Sequence, residues 1–129
     1  MYKVIFIEDN LEIRENTVEI LELAGYSMCA AADGNEGIDM IVEQSPDIIL
    51  CDIHMPNMNG FEVFWNVKAN STVSNIPFVF VTASAEKKEM ESALSLGADG
   101  YICKPFDSKE LLELVFHLLE TSKSPIKSN

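Results

Sequence analysis

Asp47-Ile48-Ile49-Leu50-Cys51-Asp52-Ile53-His54-Met55-Pro56 is the stretch on which the reading of this chain turns. The run over 47–51 predicts a short strand, and Pro56, Asn57, Asn59 and Gly60 mark a loop after it. Asp52 stands at the junction. A carboxylate there lies at the mouth of a core, where it binds a cation or serves as a nucleophile. Two other apolar runs end in the same manner. Tyr2-Lys3-Val4-Ile5-Phe6-Ile7 runs into Glu8-Asp9, and Tyr101-Ile102-Cys103 into Lys104. Three strand ends carrying two acids, one acid and one base point to a single site.

Outward from these ends the chain alternates two periods. Residues 2–7 predict a strand buried on both faces. Asn10 caps a first helix, in which Ile13, Thr17, Ile20, Leu21 and Ala24 recur at helical spacing. Glu12, Glu15, Glu19 and Glu22 fall on its solvated face, and Gly25 ends it. A weaker strand over 26–32 leads to a turn at Asp33-Gly34. A second helix begins at about Gly37 and is stopped by Ser45-Pro46. Gly60 opens a third helix to about Asn70. Strand four is Phe78-Val79-Phe80-Val81, followed by a helix over 85–96 that ends at Gly97. Strand five is Gly100 to Cys103. A last helix, capped by Asp107 or Ser108, runs to about Glu120. The expected division is one domain over 1–121 and a flexible tail over 122–129. Five strands alternating with five helices predict an α/β fold with a parallel sheet, right-handed crossovers and helices on both faces. In such sheets ligands bind outside the carboxyl ends of the strands, near the switch point in strand order. Glu8, Asp9, Asp52, Thr82 and Lys104 all fall there.

With 129 residues, 47% of them hydrophobic, the chain can bury a real core. Its net charge of −12 disfavours nucleic acid and anionic membrane surfaces as partners. No apolar run reaches the length of a membrane span and no signal peptide is apparent. Cys29, Cys51 and Cys103 form no CxxC pair and read as reduced, buried small hydrophobes, so a cytoplasmic protein is expected. Strand four should part Cys51 from Cys103 by two strand spacings of about 4.8 Å, beyond disulfide reach.

Three acids in one cleft raise a pKa or recruit a cation. Magnesium suits them: a hard ion held by one or two carboxylates, waters, backbone carbonyls and phosphate oxygens. An aspartate can also take up a phosphoryl group as an acyl phosphate. An ammonium such as Lys104 and a hydroxyl such as Thr82 would then help to neutralise the equatorial oxygens. Each residue also has a plainer reading. Glu8-Asp9 alone would be a pair complementing a helix dipole. Thr82 alone would be a strand-end cap, and Tyr101 a core residue. His54 reads as a side chain beside the pocket mouth that tunes water access, and His117 as a surface or half-buried residue. Glu86-Lys87-Lys88-Glu89 reads as a solvated helix face.

The chain resembles the receiver (phosphoacceptor) domain of two-component response regulators. Ile7-Glu8-Asp9-Asn10, Cys51-Asp52-Ile53-His54-Met55-Pro56 with Met58-Asn59-Gly60, Val81-Thr82-Ala83, and Gly97-Ala98-Asp99-Gly100-Tyr101-Ile102-Cys103-Lys104-Pro105-Phe106 carry the likeness, in order and each at a strand end. The resemblance implies a three-layer, doubly wound (βα)5 flavodoxin-like fold with strands in the order 2-1-3-4-5. It implies Asp52 as phosphoacceptor, and Mg²⁺ held by Glu8, Asp9, Asp52 and the backbone carbonyl of His54. It also implies Lys104 against the phosphoryl group, Thr82 and Tyr101 as switch residues, and a cis Lys104-Pro105 bond. Glu8 stands where many members have aspartate, a common variant whose longer side chain is compatible with the metal site. The implied function is phosphorelay signalling, a switch rather than an enzyme, with self-catalysed phosphoryl uptake and slow loss. The implied partners are a histidine kinase or histidine phosphotransfer protein and a downstream effector. The implied state is a monomer or a phosphorylation-dependent homodimer. Three other readings compete: a Mg²⁺-dependent aspartyl phosphohydrolase, a flavin or nucleotide carrier, and a receiver-like module that is never phosphorylated. The carrier would need a phosphate-cradling loop where Glu8-Asp9-Asn10-Leu11 stands.

Overall fold

The computed structural model describes residues 1–123 and contains five parallel strands and five helices in strict alternation. The strands are β1 (Lys3–Ile7), β2 (Ser27–Ala31), β3 (Ile48–Cys51), β4 (Phe78–Thr82) and β5 (Gly100–Cys103). The helices are α1 (Leu11–Leu23), α2 (Gly34–Gln44), α3 (Gly60–Lys68), α4 (Lys87–Ser95) and α5 (Ser108–Lys123). The sheet order is β2-β1-β3-β4-β5, as expected. The order reverses at β1, which pairs with β2 on one edge and β3 on the other. The carboxyl ends of β1 and β3 therefore flank the switch point.

Both faces of the sheet are covered, so its strands are apolar throughout rather than alternating. Ile5, Ile7, Ile49, Cys51, Phe78 and Phe80 pack with Ile41 of α2, Val63 and Phe64 of α3 and Ala93 of α4. Val4, Phe6, Ile48, Leu50, Val79 and Val81 pack with Leu21 of α1 and Leu111, Val115 and Leu119 of α5. Phe64, Phe78 and Phe80 meet with centroids 5.1–5.8 Å apart, within the range of favourable aromatic pairing. Among the described residues no helix is long and apolar enough to cross a membrane.

Most element ends follow local chemistry. Asn10 Oδ1 accepts from the Ile13 N–H at 2.9 Å to start α1. Asn59 and Glu62 form a reciprocal capping box that starts α3 at Gly60. Asp107 is the cap of α5, accepting from the Glu110 N–H at 2.7 Å.

Beyond shifts of one or two residues at several ends, the structure departs from the sequence reading in these places. The turn expected at Asp33-Gly34 is the first turn of α2, because Asp33 accepts from the Glu36 N–H at 2.8 Å while Glu36 accepts from the Ala32 N–H. A Cβ at Gly37 would collide with the Ile7 side chain, so α2 needs a glycine there to lie this close to β1. Ala24, expected on the buried face of α1, is exposed at its C-cap. The last helix continues to Lys123, past the Glu120 and the tail boundary read from the sequence. The remainder of that tail, 124–129, lies outside the described residues.

Candidate functional site

Glu8 and Asp9 follow the last residue of β1, and Asp52 the last residue of β3. The Asp52 N–H donates to the Ile7 carbonyl at 2.9 Å, so the two strand ends stay zipped up to the site. Each of Glu8, Asp9 and Asp52 brings a carboxylate oxygen to within 4.8 Å of the others. Glu8 is 1% and Asp52 4% exposed, whereas Asp9 is open to solvent. Lys104, just past β5, reaches back across β4. Its Nζ lies 2.8 Å from Glu8 Oε1 and 3.6 Å from Asp52 Oδ2. The ammonium expected against a phosphoryl group is thus held first by Glu8. The Lys104-Pro105 bond is cis, as the resemblance implies. Thr82 ends β4 fully buried, and the Lys104 N–H donates to its carbonyl at 2.7 Å.

Burial dominates the electrostatics. It pushes the Glu8 carboxyl above its ordinary range; the hydrogen bond from Lys104 opposes this and the charge of Asp52 adds to it. Burial also raises Asp52, against the pull of Lys104 and a hydrogen bond from the His54 backbone N–H. One ammonium against three carboxylates leaves the cluster short of positive charge. Oxygen donors only, close together and held at strand ends, fit a hard divalent cation such as Mg²⁺. The plainer reading of Glu8-Asp9, a dipole pair for α1, does not account for a glutamate buried this deeply beside Lys104.

Gly60 shapes the acceptor loop. Its N–H donates to the Ile53 carbonyl at 2.8 Å, and a Cβ on it would run into the Asp52 carbonyl. Tyr101 is half-buried, its one hydroxyl proton shared between the Ser84 carbonyl at 3.2 Å and Glu89 Oε1 at 3.3 Å. Burial first, then the Glu89 charge, pushes the Tyr101 hydroxyl up to about 12. His54 is exposed, and its imidazole turns toward α4, with Nε2 3.0 Å from Glu89 Oε2. His117 is exposed on α5, as expected. Cys51 and Cys103 are free and lie on β3 and β5 with β4 between them.

Three participants escaped the sequence reading. Arg14 donates from Nη1 to the Glu8 carbonyl at 2.7 Å, fastening α1 to the site. Ser84 accepts from Tyr101 and also from the Cys103 thiol at 3.3 Å. Glu89, read as part of a solvated run, is only 17% exposed and joins His54 to Tyr101. The half-apolar spacing of α4 carried no signal for it, since both partners come from other elements.

Comparison with known proteins agrees with this fold. The sequence profile of the response regulator receiver domain matches residues 4–116. Response regulator MprA of Mycobacterium avium is 35% identical over 121 residues, covering 94% of this chain and 52% of MprA. A probable transcriptional regulator, ycf29, of Pyropia yezoensis is 32% identical over 92% of this chain and 53% of its own length. The chain therefore spans about half the length of these relatives. The solved chemotaxis protein CheY4 of Vibrio cholerae superposes with a TM-score of 0.86 at 30% identity, covering 92% of this chain and 98% of CheY4. The signal receiver domain of a signal transduction histidine kinase from Syntrophus aciditrophicus gives 0.87 at 27% identity, over 96% of this chain and 94% of that one. The chain belongs to the response regulator receiver domain family, the signalling domain of two-component systems.

Proposed function

We propose that this receiver takes a phosphoryl group onto Asp52 from a phosphohistidine of a kinase or phosphotransfer protein, in the cytoplasm, and changes a protein-binding surface in response. The observation that carries the proposal is the cluster of Glu8, Asp9 and Asp52, two of them buried, with Lys104 at its edge. Asp52 attacks the phosphorus; the N–P bond of the donor breaks, an O–P bond forms, and the imidazole leaves. A carboxylate nucleophile carries no proton to remove, and no separate base is required. Glu8, Asp9, Asp52 and the His54 carbonyl would hold Mg²⁺, which when bound neutralises charge on the transferred oxygens. Lys104 supplies positive charge from the other side and exchanges part of its bond to Glu8 for the phosphoryl group. Thr82 turns its hydroxyl to the new acyl phosphate, and Tyr101 responds. A protein donor, in addition to any small acyl phosphate, is supported by a groove of ≈ 500 Å³ beside Lys104, lined by Ile13, Ile20 and Phe106.

Incubation with acetyl phosphate and Mg²⁺ should add one phosphoryl mass to the intact protein. D52N should add none, and chelation of Mg²⁺ should stop uptake by the wild type. Equal uptake by D52N would sink the assignment. Turnover of small phosphate esters, with no accumulation of phosphoprotein, would favour a phosphohydrolase instead.

A further inference from the structure

The loop after β3, the first turn of α4 and the edge strand β5 meet at one carboxylate. Glu89 Oε2 lies 3.0 Å from His54 Nε2, and Oε1 lies 3.2 Å from the same nitrogen. Oε1 also accepts from the Tyr101 hydroxyl at 3.3 Å. The same hydroxyl proton is shared with the Ser84 carbonyl at 3.2 Å, and the Ser84 N–H donates to Thr82 Oγ1 at 3.3 Å. The chain of contacts begins two residues after Asp52 and ends at Thr82. Neutral imidazole with its proton on Nε2 can also donate the first of these bonds, so the link does not require imidazolium.

We propose that Glu89 is a positioning residue that couples the acceptor loop to Tyr101, so that displacement of the His54 segment reaches Tyr101 and α4 without passing through Thr82. This rests on the reading of Asp52 as the acceptor. It adds a second route between the site and Tyr101, through side chains 35 and 12 residues apart in sequence. Both bonds are needed. A carboxylate held by His54 alone fixes α4 to the loop, and one held by Tyr101 alone fixes only the ring. Coupling between two sites through such a link is a free energy and shows as non-additivity.

The simpler alternative is that Glu89 only complements the N-terminal dipole of α4, whose first turn it occupies. The two roles separate by substitution. E89Q removes the charge but keeps an oxygen for Tyr101 and an amide that pairs with His54 in its other tautomer. E89A removes both.

The test records the ring resonances of ¹³C-labelled tyrosine in the full chain, with Tyr101 assigned from Y101F. In the absence of any ligand, H54A should shift the Tyr101 ring in the wild-type and E89Q backgrounds and leave it unmoved in E89A. With beryllium fluoride and Mg²⁺ as the probe of the phosphorylated state, E89A should bind the probe but show a smaller Tyr101 response than wild type, keeping only the part that passes through Thr82. An H54A shift of equal size in E89A and wild type would overturn the coupling. Loss of transmission in E89Q equal to that in E89A would assign Glu89 to the dipole role and overturn it too. Failure of the wild type to bind the probe would overturn the acceptor reading instead, and the ligand-free comparison would still decide the link.

Discussion

At Asp52 the protein holds a carboxylate in surroundings that resist its charge. Burial raises both Asp52 and Glu8, so the folded metal-free protein keeps protons that the unfolded chain releases. The contribution of these groups to stability is therefore greatest in acid. It declines as pH rises from the ordinary carboxylate range, about 4, through their raised values. In chelator, D52N should gain stability relative to wild type as pH is raised toward neutrality, measured by denaturant unfolding. A difference independent of pH would show that burial does not perturb Asp52. Lys104 is the other half of the balance. K104M leaves Glu8 without its ammonium and should destabilise by about 3 kcal/mol at neutral pH, and by less in acid, where a protonated Glu8 needs no counter-charge. Gly60 limits the site by shape. G60A drives a Cβ into the Asp52 carbonyl and should cost about 1–3 kcal/mol and most of the phosphoryl uptake, read by thermal unfolding and intact mass.

Among the elements, the helices show how far local chemistry reaches. The caps Asn10 and Asp107 were legible because a side-chain acceptor followed by a helical period needs no distant partner. The start of α2 was misread for a related reason. Asp33-Gly34 has the composition of a turn, and only the packing of Gly37 against Ile7, the bond from the Glu36 N–H to Asp33 and the bond from the Ala32 N–H to Glu36 make it a helix. D33A should cost about 1 kcal/mol in thermal or denaturant unfolding. No measurable change would show that the glycine contacts alone place α2. The run Glu86-Lys87-Lys88-Glu89 at the start of α4 is charged throughout and reads as a solvated helix face. Glu89 is turned inward by His54 and Tyr101, which no periodicity within α4 can announce.

Across the whole molecule the site is a product of strand order. β1 and β3 are adjacent, so Glu8, Asp9 and Asp52 converge; β5 lies one strand beyond β4, so only a long side chain such as Lys104 reaches them. A cation bridging the ends of β1 and β3 should stabilise the entire fold by mass action. For a chain of this size each kcal/mol of binding raises Tm by about 4 °C. Mg²⁺ should therefore raise Tm in a saturable way, chelator should reverse it, and D52N should remove most of the effect. A rise of equal size in D52N would place the ion elsewhere.

The sequence by itself determined the alternation of five strands and helices, the acids and the base at strand ends, and the motifs that mark a receiver. These are encoded in residue type and spacing within a few residues, where burial period, caps and turns are local. Only the tertiary structure decided which charges meet. Lys104 bonds to Glu8 across 96 residues, and Glu89 to His54 across 35. Such contacts depend on how separate elements are placed against one sheet. That placement is set by the packing of both core layers together and not by any single stretch of chain.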